Sequence, residues 1–234
     1  MKDVLLVCAT RKTRRQFKES APLSASLKRL QSTSNRVANR VTYENRSGLG
    51  VIYNQYLNIR YKARILVFVH DDVSIQDLFF VEKLNNAIGA FDVIGLAGNQ
   101  DPDLTHPSWF DQRRPLSGFV GHHYPQPAPR PYETIFVSSY GPSPAPCAML
   151  DGCFLAVNAE SVIVSGVRFD ERFQFHFYDL DFSLSCSRKG LRVGTWPVWA
   201  VHQSGGSFGS PEWKRMEKLY RRKWGITQSK KINQ

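Results

Sequence analysis

The sequence predicts an α/β fold in which a mainly parallel, mixed sheet is flanked by helices within a single domain. Three observations support this prediction. Short apolar segments that are typical of buried strands alternate with segments of helical spacing. The chain has 234 residues, which suits one large α/β domain. Hydrophobic residues make up 42% of it, which allows a sizeable core.

The first half of the chain contains four predicted strands. Residues 4–8 form the first apolar run, and residues 36–43 form a second strand. Apolar residues with helical spacing follow over residues 49–57. Ile65–Val69 is a continuous, mostly β-branched run, which indicates a buried third strand, and residues 91–96 form a fourth.

A helix is predicted between the third and fourth strands. Ser74 is expected to cap it, with Asp77 at the position of a capping box, and apolar residues from Phe79 to Ile88 lie on one face. Strands that alternate with helices at this spacing indicate a mainly parallel sheet covered on both faces.

The pattern changes after Gly98. Residues 98–146 hold most of the prolines, and we expect long irregular structure there, with one hairpin over residues 133–138. Loops of this length are typical of lids or binding loops. Regular structure then returns as a strand over residues 148–157 interrupted at Asp151, a helix over residues 178–189, one or two short strands over residues 192–202, and a helix over residues 211–224.

Composition limits the partners and the compartment. The net charge of +11 is concentrated in residues 11–29 and 214–231, which favours anionic partners, with a solvated basic face as the simpler explanation. The chain has no recognisable nucleic-acid-binding module, so we expect no nucleic-acid partner. No apolar run approaches the roughly 20 residues of a membrane-spanning helix, and the N-terminal run is too short for a signal peptide, so we expect a cytoplasmic protein.

The four cysteines lack paired spacing, which predicts buried free thiols.

Two adjacent carboxylates, Asp71 and Asp72, end the predicted strand Ile65–Val69. Like charges side by side are costly unless a cation or hydrogen bonds offset them. Ligands of open α/β sheets bind at the carboxyl ends of strands, and carboxylate oxygens are ligands for Mg²⁺ or Mn²⁺. We therefore expect a metal site here, the alternative being a surface pair that caps the next helix.

Other polar groups also follow apolar segments. Cys8 and Thr10 after the first strand, together with Glu44 and Asn45 after the second, could hold a base and ribose or could be ordinary turn residues. His202 ends a short strand before a glycine-rich loop. It is a candidate ligand for the metal expected at Asp71 and Asp72, although a lone histidine is more often structural.

Three further acids are candidates for acid–base chemistry. Asp151 interrupts an apolar strand next to a glycine, where a β-bulge is the structural alternative. Asp179 and Asp181 begin a helix after an aromatic stretch. Aromatic surroundings exclude water and can raise the pKa of a carboxylate toward the range that a general base needs. A favourable interaction with the helix dipole is the alternative for both.

The order of these segments resembles the family 2-like glycosyltransferases, which have a GT-A fold. The resemblance spans about the whole chain, from Val4 to Trp213. Five segments carry it: Val69-His70-Asp71-Asp72-Val73 for a DXD-type motif, Leu150-Asp151-Gly152-Cys153-Phe154 for a small-residue segment, Phe169-Asp170-Glu171-Arg172-Phe173 for an FDE-F segment, Tyr178-Asp179-Leu180-Asp181 for an ED-type motif, and Val201-His202-Gln203-Ser204-Gly205-Gly206 for a V-H-GG element. Acids are common in the family at the positions of His70 and Tyr178.

The resemblance implies an enzyme that moves a sugar from a nucleotide-diphosphate sugar, which we expect to be a UDP-sugar, to an acceptor hydroxyl with inversion. The acceptor would be a polysaccharide, a glycolipid or a protein glycan, for example in the cell envelope. Thr10 and Glu44 would face the nucleoside together with Cys8 and Asn45, and Asp71 would lie near the ribose.

The resemblance also assigns the metal and the base. Asp72 would bind Mn²⁺ or Mg²⁺, with His202 as a second protein ligand. Asp179 would take the proton of the acceptor, with Asp181 and Asp151 as alternatives for the base. Asp151 would otherwise orient hydroxyl groups of the donor or the acceptor.

The implied organisation is one glycosyltransferase-like domain over residues 1–225, with a nucleotide-binding half (1–97) and an acceptor-side half (98–225). A basic tail would follow over residues 226–234. The basic C-terminal segment would contact the inner face of a membrane peripherally, and oligomer formation is left open. Two rival hypotheses are a catalytically inactive nucleotide-sugar-binding protein and a basic module that binds membrane surfaces.

Overall fold

The structure is a computed structural model that describes residues 3–58, 63–124, 134–204 and 208–226. These residues form 13 strands and seven helices. The strands are β1 (Val4–Ala9), β2 (Val37–Thr42), β3 (Ile65–Val69), β4 (Val73–Ile75), β5 (Val93–Gly95), β6 (Ala97–Asn99), β7 (Leu116–His123), β8 (Ile135–Gly141), β9 (Ala145–Pro146), β10 (Met149–Leu150), β11 (Phe154–Asn158), β12 (Val193–Thr195) and β13 (Ala200–His202). The helices are α1 (Arg14–Ser20), α2 (Pro22–Thr33), α3 (Leu49–Asn54), α4 (Phe80–Ala90), α5 (Ala159–Ser165), α6 (Tyr178–Arg188) and α7 (Pro211–Lys223).

The larger sheet has the strand order β2, β1, β3, β11, β5, β12, β9. β1 pairs in parallel with β2 and β3, and β5 pairs in parallel with β12. β11 runs antiparallel between β3 and β5, and β9 runs antiparallel beside β12. All strands except β11 and β9 therefore run in one direction. The predicted α/β fold with a mainly parallel, mixed sheet is confirmed.

Helices cover both faces of this sheet, as predicted. In β3, Ile65, Val67 and Val69 belong to a core that includes residues of α2 and α4. Leu66 and Phe68 belong to a second core that includes residues of α3 and α6. Successive side chains of a strand point to opposite faces, so a strand buried on both faces needs a continuous apolar run. All four cysteines are free and buried, which confirms that prediction.

A second sheet, in the order β10, β6, β7, β13, β4 with β8 beside β7, was not predicted. β7 and β8 lie within residues 98–146 and pair antiparallel, so the expectation of irregular structure with one short hairpin is wrong there. Part of the predicted hairpin, residue 133, lies outside the described residues. The strand signal is weak because β7 contains Gly118, whose backbone has a positive φ of 99°. A Cβ at Gly118 would collide with the carbonyl oxygen of Leu96 on the neighbouring segment, so a glycine is required.

The cap predicted at Ser74 is also wrong. Ser74 lies in β4, which pairs antiparallel with β13, and α4 begins only at Phe80. Asp77 caps no helix through its side chain. It accepts a hydrogen bond from the N–H of Phe79 just before α4. The pairing places Val73 opposite His202, a partner that the local sequence cannot reveal.

The C-terminal helix α7 is part of the domain, because Met216 and Tyr220 are buried in the core. In the described parts of the chain, none of the helices combines the length and the apolar character needed to cross a membrane. Apart from Ile226, the predicted basic tail over residues 226–234 lies outside the described residues. The division into residues 1–97 and 98–225 stays a prediction.

Candidate active site

The candidate site lies where the chain passes between the two sheets. Residues 70–72 connect β3 of the larger sheet to β4 of the smaller sheet. Residues 151–153 connect β10 of the smaller sheet to β11 of the larger one. The two connections are adjacent, because the N–H of His70 donates to the carbonyl oxygen of Cys153 at 3.0 Å. Polar groups on both connections therefore meet in one place.

Asp72 and His202 are brought together by the pairing of β4 with β13. The N–H of Gln203 donates to the carbonyl oxygen of Asp72 at 3.1 Å. Oδ1 of Asp72 lies 3.3 Å from Nε2 of His202. The structure thus places side by side the two residues that were predicted as metal ligands.

His70 completes a cluster that could hold a metal ion. The ligand atoms of His70, Asp72 and His202 all lie within 4.8 Å of one another. Oδ1 of Asp72 and Nε2 of His202 are buried, and apart from their 3.3 Å contact with each other neither has a polar partner at hydrogen-bond distance among the described residues. Buried polar atoms that are poorly satisfied are costly, and a cation between them would satisfy both. The cluster therefore fits a divalent ion.

The ionisation states of the cluster depend on one another. Desolvation lowers the pKa of His70. Desolvation also opposes the charged form of His202, but the Asp72 carboxylate outweighs it and raises the pKa of His202. Burial disfavours the charge of Asp72, yet the two histidines outweigh burial and lower the pKa of Asp72. Asp72 is therefore ionised at neutral pH, which is the form that binds a cation.

Asp179 lies in the first turn of α6 and lines the same cavity as the metal cluster. Its Oδ2 accepts a hydrogen bond from the N–H of Gly152 at 2.8 Å. Burial, followed by the charge of Asp151, raises the pKa of Asp179 to about 7. A carboxylate with a pKa near 7 can accept a proton from a substrate at neutral pH. Asp151 also lines the cavity, and its Oδ1 accepts from the N–H of Cys153 at 2.8 Å.

Gly152 allows α6 to approach the connection between β10 and β11. A Cβ at this position would lie 2.5 Å from the hydroxyl oxygen of Tyr178 and 2.6 Å from Cβ of Asp179. The hydroxyl of Tyr178 donates to the carbonyl oxygen of Gly152 at 2.7 Å and lies 2.8 Å from Nε2 of His70. Gly152 therefore links the candidate base to the metal cluster: its N–H binds Asp179, and its carbonyl oxygen binds the Tyr178 hydroxyl that contacts His70.

Asp181 is set apart from this site. Its side chain is fully buried and accepts hydrogen bonds from Nζ of Lys223 at 2.8 Å and Nε1 of Trp224 at 3.0 Å. Asp181 is not among the residues that line the cavity. The structure therefore corrects the prediction of Asp181 as an alternative base, because its carboxylate holds the end of α7 against α6.

The cavity has a volume of about 650 Å³ and largely aromatic walls. The aromatic residues that line it include Trp109, Phe110, Tyr140, Phe175, Phe177, Phe208 and Trp213. Trp109, Phe110 and Tyr140 come from residues 98–146 and pack edge to face against one another. Walls of this kind exclude water and suit the apolar faces of an organic ligand.

Two of the residues predicted to bind the donor meet beside Asp72. The hydroxyl of Thr10 donates to Oδ2 of Asp71 at 2.6 Å. Nζ of Lys12 lies 3.0 Å from the same oxygen. The ammonium group of Lys12 thus compensates one of the two adjacent carboxylates that made this segment unusual in the sequence.

The other residues predicted to contact the nucleoside are placed differently. Cys8 is 1% exposed and packs in the core, so its side chain does not face a ligand, and a contact with a nucleoside through its main chain stays a prediction. The side chain of Asn45 closes a turn by accepting from the N–H of Ser47 and donating to its carbonyl oxygen. Glu44 is exposed and has a left-handed backbone (φ 51°), and its contact with a nucleoside stays a prediction.

Three residues of the site were not predicted from the sequence: His70, Tyr178 and Lys12. The signal for His70 was its position directly before the two acids, in a short connection where the N–H of Val73 donates to the carbonyl oxygen of His70 at 3.4 Å. No such signal exists for Tyr178, whose partner His70 is 108 residues away. Lys12 was visible only as part of a basic segment.

Comparison with known proteins identifies the family of this chain. A model described as "Glycosyltransferase like family" matches residues 6–224. None of the curated proteins matches the chain significantly. Among solved structures, A197 from STIV is 11% identical, with 88% of this chain and 96% of that chain covered and a TM-score of 0.47. The mannosyltransferase PcManGT from Pyrobaculum calidifontis, in complex with GDP-Man and Mn²⁺, is 12% identical, with 97% of this chain and 65% of that chain covered and a TM-score of 0.48. Both likenesses are weak.

Proposed function

The chain belongs to a glycosyltransferase-like family, and from that premise we propose that it transfers a sugar from a nucleotide-diphosphate sugar to an acceptor hydroxyl, with inversion and with a divalent metal ion. One observation carries this proposal. Asp179, a carboxylate whose pKa is raised to about 7, lines the same cavity as the cluster of His70, Asp72 and His202. A base and a cation site that share one cavity are what such a transfer requires.

Asp72, His202 and His70 would hold the metal ion. When bound, the ion neutralises the charge that develops on the diphosphate leaving group. Ionised Asp72 offers an oxygen, and the two histidines offer nitrogens. Mg²⁺ is suited by oxygen ligands, whereas imidazole suits transition metals. We therefore propose Mn²⁺ rather than Mg²⁺ as the ion that this cluster binds more tightly.

Asp179 would take the proton from the acceptor hydroxyl as that oxygen attacks the anomeric carbon. The N–H of Gly152 holds Oδ2 of Asp179 and so fixes the direction of the carboxylate. Attack from the face opposite the leaving group inverts the anomeric centre in a single displacement. The charge of Asp151 helps to raise the pKa of Asp179. Asp151 would also orient hydroxyl groups of the donor or the acceptor. The aromatic walls exclude water that would otherwise hydrolyse the donor.

For the donor we propose a UDP-sugar bound beside Asp71. Thr10 and Lys12 both hold Oδ2 of Asp71, which orients the carboxylate to accept a hydrogen bond from a ribose hydroxyl. Glu44 and Asn45 lie on the turn after β2, whose backbone is joined to the Thr10 segment because the N–H of Asn45 donates to the carbonyl oxygen of Thr10 at 2.8 Å. This turn would flank the base.

For the acceptor we propose a sugar hydroxyl of a polysaccharide, a glycolipid or a protein glycan, because aromatic walls suit sugar rings. α7 presents the exposed basic residues Lys214, Arg215, Lys218 and Arg222. We propose that this face contacts anionic lipids at the cytoplasmic side of a membrane, where a lipid-linked acceptor would be found.

The test is release of the nucleoside diphosphate from a panel of nucleotide sugars, with Mn²⁺ or with EDTA, in the presence of candidate acceptors. We expect release with one donor that depends on Mn²⁺. Asp179→Asn should still be stabilised thermally by that donor but should lose at least about 100-fold in turnover. Asp101→Asn, which removes an exposed acid outside the cavity, is the matched control and should turn over normally.

Two results would contradict the proposal. Normal turnover by Asp179→Asn would remove Asp179 as the base. Donor binding without any release over the whole panel would favour the catalytically inactive nucleotide-sugar-binding protein.

A further inference from the structure

The hydroxyl of Tyr178 lies between the candidate metal cluster and the Gly152 peptide. We propose that Tyr178 is a positioning residue that fixes the tautomer of His70, so that Nδ1 of His70 faces Asp72 and His70 becomes a third protein ligand of the divalent ion. This inference rests on the proposed metal-dependent function, because it concerns the same cluster.

The protons of this contact can be assigned by counting donors. The hydroxyl oxygen of Tyr178 lies 2.7 Å from the carbonyl oxygen of Gly152, which can only accept a hydrogen bond. A tyrosine hydroxyl has a single proton, so that proton points at Gly152. Nε2 of His70 lies 2.8 Å from the same hydroxyl and must therefore donate to it. The other tautomer would leave the Tyr178 and Gly152 oxygens facing each other without a proton.

A neutral imidazole that carries its proton on Nε2 has its lone pair on Nδ1. Nδ1 of His70 is the ring nitrogen nearer to Asp72, at 4.0 Å from Oδ1. Metal–ligand bonds to nitrogen and oxygen are about 2.0–2.2 Å long, so two ligands of one ion can lie about 4 Å apart. The tautomer set by Tyr178 therefore presents a ligand nitrogen on the side of the ring where Asp72 and His202 lie.

Both the main chain and the ring of His70 are held in place by neighbouring groups. The main-chain N–H of His70 donates to the carbonyl oxygen of Cys153. The ring of Phe175 stacks on the imidazole with centroids 5.8 Å apart and an angle of 23°. A ligand histidine whose second nitrogen donates to a fixed acceptor is typical of metal sites, and loss of such a partner weakens metal binding about 10- to 100-fold.

Tyr178 itself is held rigidly. Its side chain is buried and packs against Tyr53 and Phe169, with ring centroids 6.0 Å away in each case. The glycine at position 152 is what allows the hydroxyl to reach the main chain, because a Cβ there would lie 2.5 Å from it. His70 and Tyr178 thus form one hydrogen-bonded pair whose two members are both held in place.

The test compares Tyr178→Phe with Tyr53→Phe. Both substitutions remove one buried hydroxyl from the same aromatic cluster, but the hydroxyl of Tyr53 has no hydrogen-bond partner among the described residues. We expect Tyr178→Phe to weaken Mn²⁺ binding about 10- to 100-fold by calorimetry, and Tyr53→Phe to leave it unchanged. Thermal unfolding of each variant checks that the fold is kept.

A second measurement does not depend on any variant being stable. Long-range ¹H–¹⁵N NMR correlations of the metal-free wild-type protein report which ring nitrogen of His70 carries the proton, with His70→Gln used to assign the signal. We expect a protonated Nε2 and an unprotonated Nδ1. In Tyr178→Phe the signals should move toward values averaged over the two tautomers, which the loss of packing alone would not cause.

Three results would overturn the inference. A proton on Nδ1 in the wild-type protein would contradict the tautomer, and wild-type Mn²⁺ affinity in Tyr178→Phe would contradict the positioning role. Both results leave the proposed function intact. A wild-type protein that binds no Mn²⁺ would overturn the metal-dependent function and, with it, the role of His70 as a ligand.

Discussion

Oδ1 of Asp72 lies 3.3 Å from Nε2 of His202, and this contact is a direct result of the pairing between β4 and β13. The chain leaves the larger sheet after Val69 and enters the smaller sheet at Val73. Asp72 therefore lies at a crossing between sheets, where paired strands hold the main chain on both sides and its side chain lines the cavity. Because strands hold this short connection at both of its ends, the ligand atoms would need little rearrangement when an ion binds.

Asp72→Asn tests this relationship. An amide carries no charge, so the proposed cluster of His70, Asp72 and His202 would lose its anionic ligand, and we expect Mn²⁺ affinity to fall by at least about 100-fold. Donor binding that depends on Mn²⁺ should be lost with it. Calorimetric titration of Mn²⁺, and of a UDP-sugar with and without Mn²⁺, measures both effects.

The control for this change is Asp101→Asn, which also replaces one acid by its amide but outside the cavity. It should bind Mn²⁺ like the wild-type protein. Unchanged Mn²⁺ binding by Asp72→Asn would show that the ion, if any, is held elsewhere.

The rate of sugar transfer is predicted to increase with pH through about 7. Asp179 accepts a proton only when ionised, and burial together with Asp151 raises its pKa to about 7. Below this pH most molecules carry a protonated Asp179 and should be inactive. Steady-state rates measured between about pH 6 and 8 at saturating Mn²⁺ test this, because saturation separates the base from any effect of pH on the metal ligands. A rate that does not change with pH over this range would argue against Asp179.

Asp179 is also predicted to destabilise the fold as the pH rises from about 4 to about 7. Its pKa is about 7 in the folded protein and about 4 in an unfolded chain, so the folded state binds the proton more tightly. The stability that depends on this proton is complete below about pH 4 and is lost progressively as pH rises to about 7. Asp179→Asn cannot ionise, so we expect it to be more stable than the wild-type protein by about 1–3 kcal/mol at pH 8 and by less at pH 5.

Urea unfolding of the metal-free proteins at both pH values measures this difference. The sign is informative, because a variant that loses activity while gaining stability has lost a functional group rather than the fold. A gain that is the same at pH 5 and pH 8, or a loss of stability, would contradict the raised pKa.

The parts of this molecule that the sequence predicts are those whose causes are local. β3 is visible because a strand buried on both faces needs an uninterrupted apolar run. Asp71 and Asp72 are visible because adjacent charges after such a run need an explanation. β4 and β7 are not visible, because their partners are distant in the chain and Gly118 removes the usual strand signal.

The choice between Asp179 and Asp181 shows the same limit within one helix. Residues two apart on a helix point in widely different directions, so only one of these acids could face the cavity. Which one does so depends on Lys223 and Trp224, which come from the end of α7 and bind Asp181. The sequence shows the two acids, but it does not show that Lys223 and Trp224 bind Asp181 away from the cavity.

Gly152→Ala should disable the site through a single methyl group. The added Cβ would lie 2.5 Å from the hydroxyl oxygen of Tyr178 and 2.6 Å from Cβ of Asp179, so α6 must shift away from the connection that carries Asp151. We expect a loss of about 1–3 kcal/mol in stability and a loss of activity that exceeds the fraction of unfolded protein. Urea unfolding and turnover measured on the same preparation separate the two effects.

Gly89→Ala is the matched control for this substitution. Gly89 lies within α4, and a Cβ there would meet no atom within 4 Å beyond its chain neighbours and the backbone of its own helix. Because alanine favours a helix by about 1 kcal/mol over glycine, this variant should be slightly more stable and fully active. A Gly152→Ala protein that behaves like Gly89→Ala would show that α6 does not need the close approach.

The exposed basic face of α7 is predicted to bind anionic membranes. Removing the helix is not a valid test, because Met216 and Tyr220 are buried in the core and Lys223 pairs with the buried Asp181. Replacing Lys214, Arg215, Lys218 and Arg222 by glutamine removes four exposed charges and leaves those anchors in place. Each basic residue near an anionic surface contributes about 1 kcal/mol, so the affinity for phosphatidylserine vesicles, measured by cosedimentation, should fall by more than about 100-fold.

Binding by the wild-type protein should weaken with added salt, and neutral vesicles should bind neither protein. Equal binding of both proteins to anionic vesicles would place membrane contact, if any, on another face.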